Sequence, residues 1–220
     1  MFIDLHVHTR LYSGCSSIEP GELILRARQA GLDGLALTEH GILWKEEKLA
    51  PLRDRAAAAG VALFPGEEVT CFEKGTRKDF LVFGIKDSLG GDFTPRSLIN
   101  RVHEEGGVVI AAHPYKPSRL GEGYHGVGEE IFELDLDAVE FYHPDHGEHA
   151  LERILAAGRL RGMPLTGGSD AHELYQVGRN STRFLNPVVT VEDLVREIRA
   201  GRIEAVNGRR PALAGQDGPA

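Results

Sequence analysis

Cysteine is scarce in this 220-residue chain: Cys15 and Cys71 can form at most one bridge, which excludes a disulfide framework as the source of stability. No stretch resembles a cationic segment followed by an apolar signal core, so the expected compartment is the cytoplasm. Apolar runs are short as well. None approaches the roughly 20 residues needed to cross a bilayer, and no membrane association is expected. Positive charge is in deficit, with 25 Lys and Arg against 33 Asp and Glu for a net charge of −8. That balance disfavours wrapping a long nucleic-acid duplex. A small phosphorylated substrate or a short oligonucleotide stays open, because bound cations would reverse the local field. No Gly-x-Gly-x-x-Gly turn joins a predicted strand to a helix and no Gly-x-x-x-x-Gly-Lys loop is present, so dinucleotide and P-loop readings have no support.

What is present is ordinary globular composition, 41% hydrophobic and 26% charged, in a strand-helix alternation. Phe2 to His8 alternates with period two and places His6 and His8 on one strand face. A helix is expected over Glu19 to Ala30, opened by Pro20 and ended by Gly31, before the buried strand Gly34 to Thr38. A second helix, Lys45 to Ala59, leads through Gly60 to the strand Val61 to Phe64. Phe80 to Gly84 is the next strand, reached through the polar segment Glu73 to Asp79 instead of a helix. Helix Pro95 to Glu105, strand Val108 to Ala111 and strand Ala138 to Tyr142 follow. Asp145 can cap a helix from Gly147 to Leu160. Pro164 to Gly167, helix Val191 to Ala200 and strand Glu204 to Val206 complete the pattern. Seven or eight strands are expected in one domain over residues 1–208, with a disordered Gly/Pro/Ala-rich tail over 209–220.

Chemistry collects at the strand ends. Asp4-Leu5-His6-Val7-His8, Thr38-Glu39-His40, Gly66-Glu67-Glu68-Val69, Ala112-His113-Pro114 and Gly168-Ser169-Asp170-Ala171-His172 each follow an apolar run. Ligands so dispersed converge only if the strands share a barrel whose C-terminal ends face one mouth. An i, i+2 histidine pair can chelate a divalent ion, and a neighbouring carboxylate such as Asp4 can orient one ring. Strand alternation turns Glu67 away from whatever Glu68 faces.

These elements, in this order, resemble the PHP family, the polymerase-and-histidinol-phosphatase superfamily of metal-dependent phosphoesterases, over roughly residues 2–207. The resemblance implies an α/β fold, a distorted seven-stranded TIM-like (β/α) barrel, with two or three divalent transition ions, zinc, manganese or iron before magnesium. It also implies hydrolysis of a phosphomonoester or phosphodiester by a metal-activated hydroxide. By resemblance, His6, His8, Glu68 and Asp170 hold the first ion. Glu68 bridges to a second ion bound by His113, and His40 and His172 belong to a third.

Three positions depart from the family pattern. Glu39 stands where aspartate is usual, keeping an acid able to support a ligand or carry a proton. Asp79 stands where a histidine commonly binds the second ion, and Cys15 where the third ion takes a histidine or aspartate. Cys15 is therefore either a thiolate ligand or a small loop residue. Glu39, His143 or a metal-bound water can protonate the leaving alkoxide, and the sequence does not choose among them. Lys116, Arg119, Arg179 and Arg183 follow the ligand motifs and are the candidate phosphate grips, Arg179 foremost and the one most directly tied to catalysis. His103, His125, His146 and His149 are expected on helices or loops with no role at the site. A different reading is a noncatalytic PHP barrel, a binding or regulatory module with an incomplete metal set. A third is hydrolysis of C–N bonds, since amidohydrolases also carry barrel-mouth His-x-His sites.

Overall fold

Parallel strands joined by helices open the fold in the computed structural model, which describes residues 1–118 and 123–208. Arg119 and the tail 209–220 lie outside the described residues. Strands β1 (Phe2–Val7), β2 (Gly34–His40) and β3 (Ala62–Glu73) run parallel, linked by α1 (Pro20–Gln29) and α2 (Glu46–Ala58). The irregular connection is a hairpin: β4 (Thr76–Phe83) returns antiparallel to β3 through Lys74 and Gly75, both at positive φ. After α3 (Pro95–Glu104), β5 (Val108–Ala111) runs antiparallel to β4. The parallel pattern then resumes with β6 (Ala138–Tyr142), α4 (Glu148–Arg161) and β7 (Leu165–Gly167). The last elements are β8 (Asn180–Phe184), α5 (Val191–Arg199) and β9 (Ile203–Asn207).

The nine described strands form one sheet in the order β7-β6-β5-β4-β3-β2-β1-β8-β9. Because β9 packs back against β7, the sheet is a nearly closed barrel. This is the expected TIM-like α/β barrel, with nine strands instead of seven. β8 escapes an apolar-run search because Asn180, Ser181 and Thr182 are polar yet buried. Thr182 Oγ1 accepts from Gly167 N at 2.9 Å, which satisfies a backbone donor where the sheet closes. The expected Asp145 cap is also absent: α4 has Gly147 as N-cap with no side-chain bond.

Three apolar clusters hold the barrel, one of them packing Val82, Val109 and Val139 against Leu98 of α3 and Ile154 of α4. Leu35, Leu37 and Leu63 pack outward against Leu23, Leu49 and Leu52 of α1 and α2. Phe64, Leu81, Phe83 and Ile110 pack together with Leu194 and Ile198 of α5. Burial of such side chains contributes about 1.5–3 kcal/mol each, so the scaffold does not depend on the polar mouth for stability. No helix among the described residues is long and apolar enough to cross a membrane.

Candidate metal centre

A one-residue slip in β1 aims the histidines. Asp4 pairs with Leu35 but Val7 with Leu37, so the register shifts between them. Ile3 and Leu5 accordingly pack with Phe64 and Leu81, whereas Val7 joins the layer under α1 and α2. Such bulges re-aim side chains at barrel rims. Here the slip keeps His6 and His8 on the interior face and turns Asp4 off it. Asp4 does not orient an imidazole, contrary to expectation. Its carboxylate accepts from Ser169 N at 3.0 Å and Gly178 N at 2.9 Å, tying β1 to the loop after β7.

Glu68 is the centre of the cluster. Its Oε1 lies 3.1 Å from His113 Nε2 and 3.5 Å from His6 Nε2. Its Oε2 lies 2.6 Å from His40 Nδ1 and 3.5 Å from His8 Nε2. Asp170 Oδ1 approaches His6 Nε2 at 3.4 Å and His8 Nε2 at 3.3 Å. Four sets of donor atoms converge closely enough to hold an ion: His6, His8 and Glu68; His6, His113 and Asp170; Glu68, Asp79 and His113; His8, His40 and His172. His6 Nε2, His8 Nε2, His40 Nδ1 and Glu68 Oε2 are buried, and none of their contacts has hydrogen-bond geometry, the 2.6 Å approach of His40 Nδ1 to Glu68 Oε2 included. Orphaned buried polar atoms are costly, and a cation among them would relieve all four.

Electrostatics point the same way. Burial alone would raise the Glu68 and Asp170 pKa values, yet both are held well below the carboxylate range, chiefly by His6. Burial likewise opposes protonation of His6, but Glu140, Asp170 and Glu68 raise its pKa well above the usual value. A proton on His6 thus stands where the carboxylates demand positive charge. Metal binding would displace it. His8, where burial dominates, is lowered to about 4 and offers a free lone pair. His113 and Asp170 both adopt positive φ, 26° and 48°, and such strain in non-glycine residues concentrates at functional sites.

Sequence reasoning missed Glu140. Its Oε1 lies 3.2 Å from His6 Nδ1 and its Oε2 accepts from His113 N at 2.8 Å, so it orients one candidate ligand and pins the backbone of another. Its pKa falls to about 2 because attraction from His6 outweighs burial. The available signal was a lone acid within the apolar strand Ala138 to Tyr142, at an inward position of the alternation.

Above these groups lies a cavity of about 430 Å³ lined in part by Asp79, Lys116, His143 and Arg179, as expected, and by Arg77 and His125, which were not. Arg77 was hidden in the hairpin. Its Nε donates to both oxygens of Asp79 at 2.9 Å, leaving the rest of its guanidinium available at the mouth. His125 supplies the carbonyl that receives His113 Nδ1–H at 2.9 Å. Lys116 Nζ lies 2.5 Å from Asp170 Oδ2.

Four expected assignments change. Glu39 is buried beneath the site with its carboxylate taken by Thr9 N and Oγ1, Ser13 Oγ and Trp44 Nε1, so it anchors the loop after β1 and carries no proton to the cavity. Cys15 lines the cavity but joins none of the converging donor sets among the described residues; His8 completes the third set with His40 and His172. Burial, then the field of Glu68 and Asp170, raises the Cys15 pKa and favours the thiol. Arg183 sits opposite Phe2 at the far end of β1, paired with Glu204 at 3.0 Å and remote from the mouth. His143 Nδ1 accepts from Asp145 N at 3.1 Å, and burial lowers its pKa. A neutral imidazole in that tautomer donates a hydrogen bond through Nε2, but losing this proton would leave an imidazolate, which argues against a general-acid role.

A nearly closed α/β barrel with a histidine-carboxylate centre at its C-terminal mouth defines the class. Within it, residues 4–128 match the PHP domain and residues 148–203 a PHP-associated segment; the chain belongs to the PHP domain family. An uncharacterised protein of Methanocaldococcus jannaschii is 26% identical over 174 residues, covering 74% of this chain and 94% of that protein. Two solved structures share the fold. A candidate metal-dependent phosphoesterase of Bifidobacterium adolescentis superposes with TM-score 0.65 at 17% identity, covering 92% of this chain and 96% of the other. An amidohydrolase of Chromobacterium violaceum superposes with TM-score 0.65 at 17% identity, covering 92% and 97% respectively.

Proposed function

We propose that this chain is a metal-dependent phosphoesterase acting on a small phosphorylated molecule. The carrying observation is the set of unpartnered buried ligand atoms on His6, His8, His40 and Glu68 beneath a cavity that also presents Arg77, Lys116 and Arg179. His6, His8, Glu68 and Asp170 would hold a first ion, with Glu68, Asp79 and His113 at a second and His8, His40 and His172 at a third. Imidazole-rich sites suit zinc or iron better than magnesium, and the carboxylates of Glu68, Asp79 and Asp170 admit manganese. Bound ions supply acidified water and neutralise charge that develops on a phosphoryl group.

The chain's own groups do the positioning. Arg77, held by Asp79, and Arg179, whose guanidinium lies 5.0 Å from the Tyr175 ring centroid, flank the space where phosphoryl oxygens would sit. His143 donates Nε2–H to Asp170 Oδ2 at 3.3 Å and so holds that carboxylate in place, and Glu140 keeps His6 turned toward Glu68. Three cations at the mouth support phosphoester over amide substrates, since a neutral amide gains little from them.

Protein purified without chelator is expected to carry about two or three transition ions per chain, and chelation to destabilise it by roughly 3 kcal/mol at ligand concentrations near 100-fold Kd. Elemental analysis with a melting curve checks this; a metal-free protein indifferent to chelator would identify a noncatalytic barrel. In steady-state assays, Arg179→Ala should raise KM by about 10–100-fold, the loss of a charge-assisted phosphate contact of roughly 1.5–3 kcal/mol. Arg183→Ala should leave KM alone, because its exposed pair with Glu204 is worth at most about 1 kcal/mol of stability. Release of phosphate compared with amide hydrolysis, ion by ion, decides the reaction class.

A further inference from the structure

A second cavity of about 360 Å³ adjoins the metal mouth and shares His143, Pro144 and Arg179 with it. Its remaining walls are Tyr142, His146, Leu151, Asn180 and Asn207. These residues come from the end of β6, the turn into α4 and its first turns, the start of β8 and the end of β9, where the barrel closes on itself. Asn180 and Asn207 are direct partners across β8 and β9, so their carboxamides flank one opening. The volume falls within the range of small-ligand sites.

The lining chemistry is selective. Two carboxamides, a phenol, two imidazoles and a guanidinium line the space, together with apolar surface from Pro144 and Leu151, and no carboxylate does. His146 donates Nδ1–H to Phe141 O at 2.9 Å, and burial lowers its pKa to about 4, so Nε2 carries a lone pair; no described residue satisfies it. Such a wall exchanges hydrogen bonds with hydroxyls and amides. An ammonium group entering it would meet Arg179 and no counter-charge, leaving a desolvated cation unpaired.

We infer that this side cavity seats the leaving alcohol of the phosphoester and selects an uncharged, hydrogen-bonding one, a sugar or a nucleoside, against alcohols bearing an ammonium group. The inference rests on the phosphoesterase reading above. Arg179, at the junction, holds the phosphoryl group while the alcohol occupies the side cavity. Hydrolysis forms a bond from the water oxygen to phosphorus and breaks the bond from phosphorus to the alcohol oxygen. One water proton goes to the alcohol and the other to phosphate.

The test uses the metal-loaded full chain and compares AMP, glucose 6-phosphate, phosphoethanolamine and methyl phosphate. At least one of AMP and glucose 6-phosphate should exceed phosphoethanolamine in kcat/KM by about tenfold or more, and which one distinguishes nucleoside from sugar. Asn207 is exposed, so Asn207→Trp can fill the opening without disturbing the core. It should lower the ratio of kcat/KM for the preferred ester to that for methyl phosphate by about tenfold. Asn207→Asp, which adds the missing carboxylate, should narrow the gap to phosphoethanolamine. Equal losses on all esters, no change in the ratio, or a preference for phosphoethanolamine would overturn the assignment. Calorimetry with adenosine, glucose and ethanolamine separates this from failure of the phosphoesterase reading. One neutral alcohol should bind the wild type and not Asn207→Trp whatever the turnover, and absence of such binding refutes the cavity's role even in an active enzyme.

Discussion

Glu68→Gln is expected to lower phosphoester turnover by at least about a thousandfold, roughly 4 kcal/mol of transition-state stabilisation, and to remove at least one ion per chain. The substitution changes one atom and almost no volume, so the fold should survive it. Its effect is electrical. Both carboxylate oxygens are shared, Oε1 between His113 and His6 and Oε2 between His40 and His8, and the residue belongs to two of the converging donor sets. A carboxamide keeps one weaker acceptor and turns an N–H₂ donor toward cations or imidazolium rings. Elemental analysis, phosphate release and circular dichroism on one preparation check the result. Unchanged turnover with a full complement of metal would place the chemistry elsewhere.

The parts of this centre legible in the sequence are those carried on strand ends: His6, His8, His40, Glu68, His113, Asp170 and His172 all meet at the mouth. Period-two alternation and apolar runs locate such positions, because each parallel strand delivers its last residues to the same rim. The residues that support the ligands were not legible. Glu140 acts from within a strand, and only the register of β6 against its neighbours brings it beneath His6. Asp4 and Glu39 look like acids adjacent to ligands, but one faces away after the β1 slip and the other is saturated by the loop it anchors. β8 stayed hidden for a related reason: its buried side chains are polar and are satisfied only by backbone distant in sequence. Local pattern shows which groups point inward; long-range hydrogen bonding decides which of them are free.

Gly168→Ala should be among the most damaging single-methyl changes in the molecule. A Cβ there would fall inside van der Waals contact with Glu140 Oε1 and 2.6 Å from His6 Cβ. Neither can yield cheaply. Glu140 is pinned by His6 Nδ1 at 3.2 Å and His113 N at 2.8 Å, and His6 lies on a fully buried strand. Overpacking a rigid core typically costs about 1–3 kcal/mol, which in a domain of this size lowers Tm by roughly 2–12 °C. The displaced carboxylate also releases the His6 ring, for which a metal-affinity loss of about 10–100-fold is expected. Gly90→Ala, with nothing within 4 Å of the new methyl, should melt within a degree or two of wild type. Pairing Gly168→Ala with Glu140→Ala separates the two effects in a double-mutant cycle. If the clash acts through Glu140, the second change should restore much of the stability lost to the first, a coupling of about 1 kcal/mol or more, while metal affinity stays low. Additive losses would mean that Gly168 is required for its own backbone and not for the acid beneath it. In that case Glu140 would not be what keeps His6 aimed at Glu68.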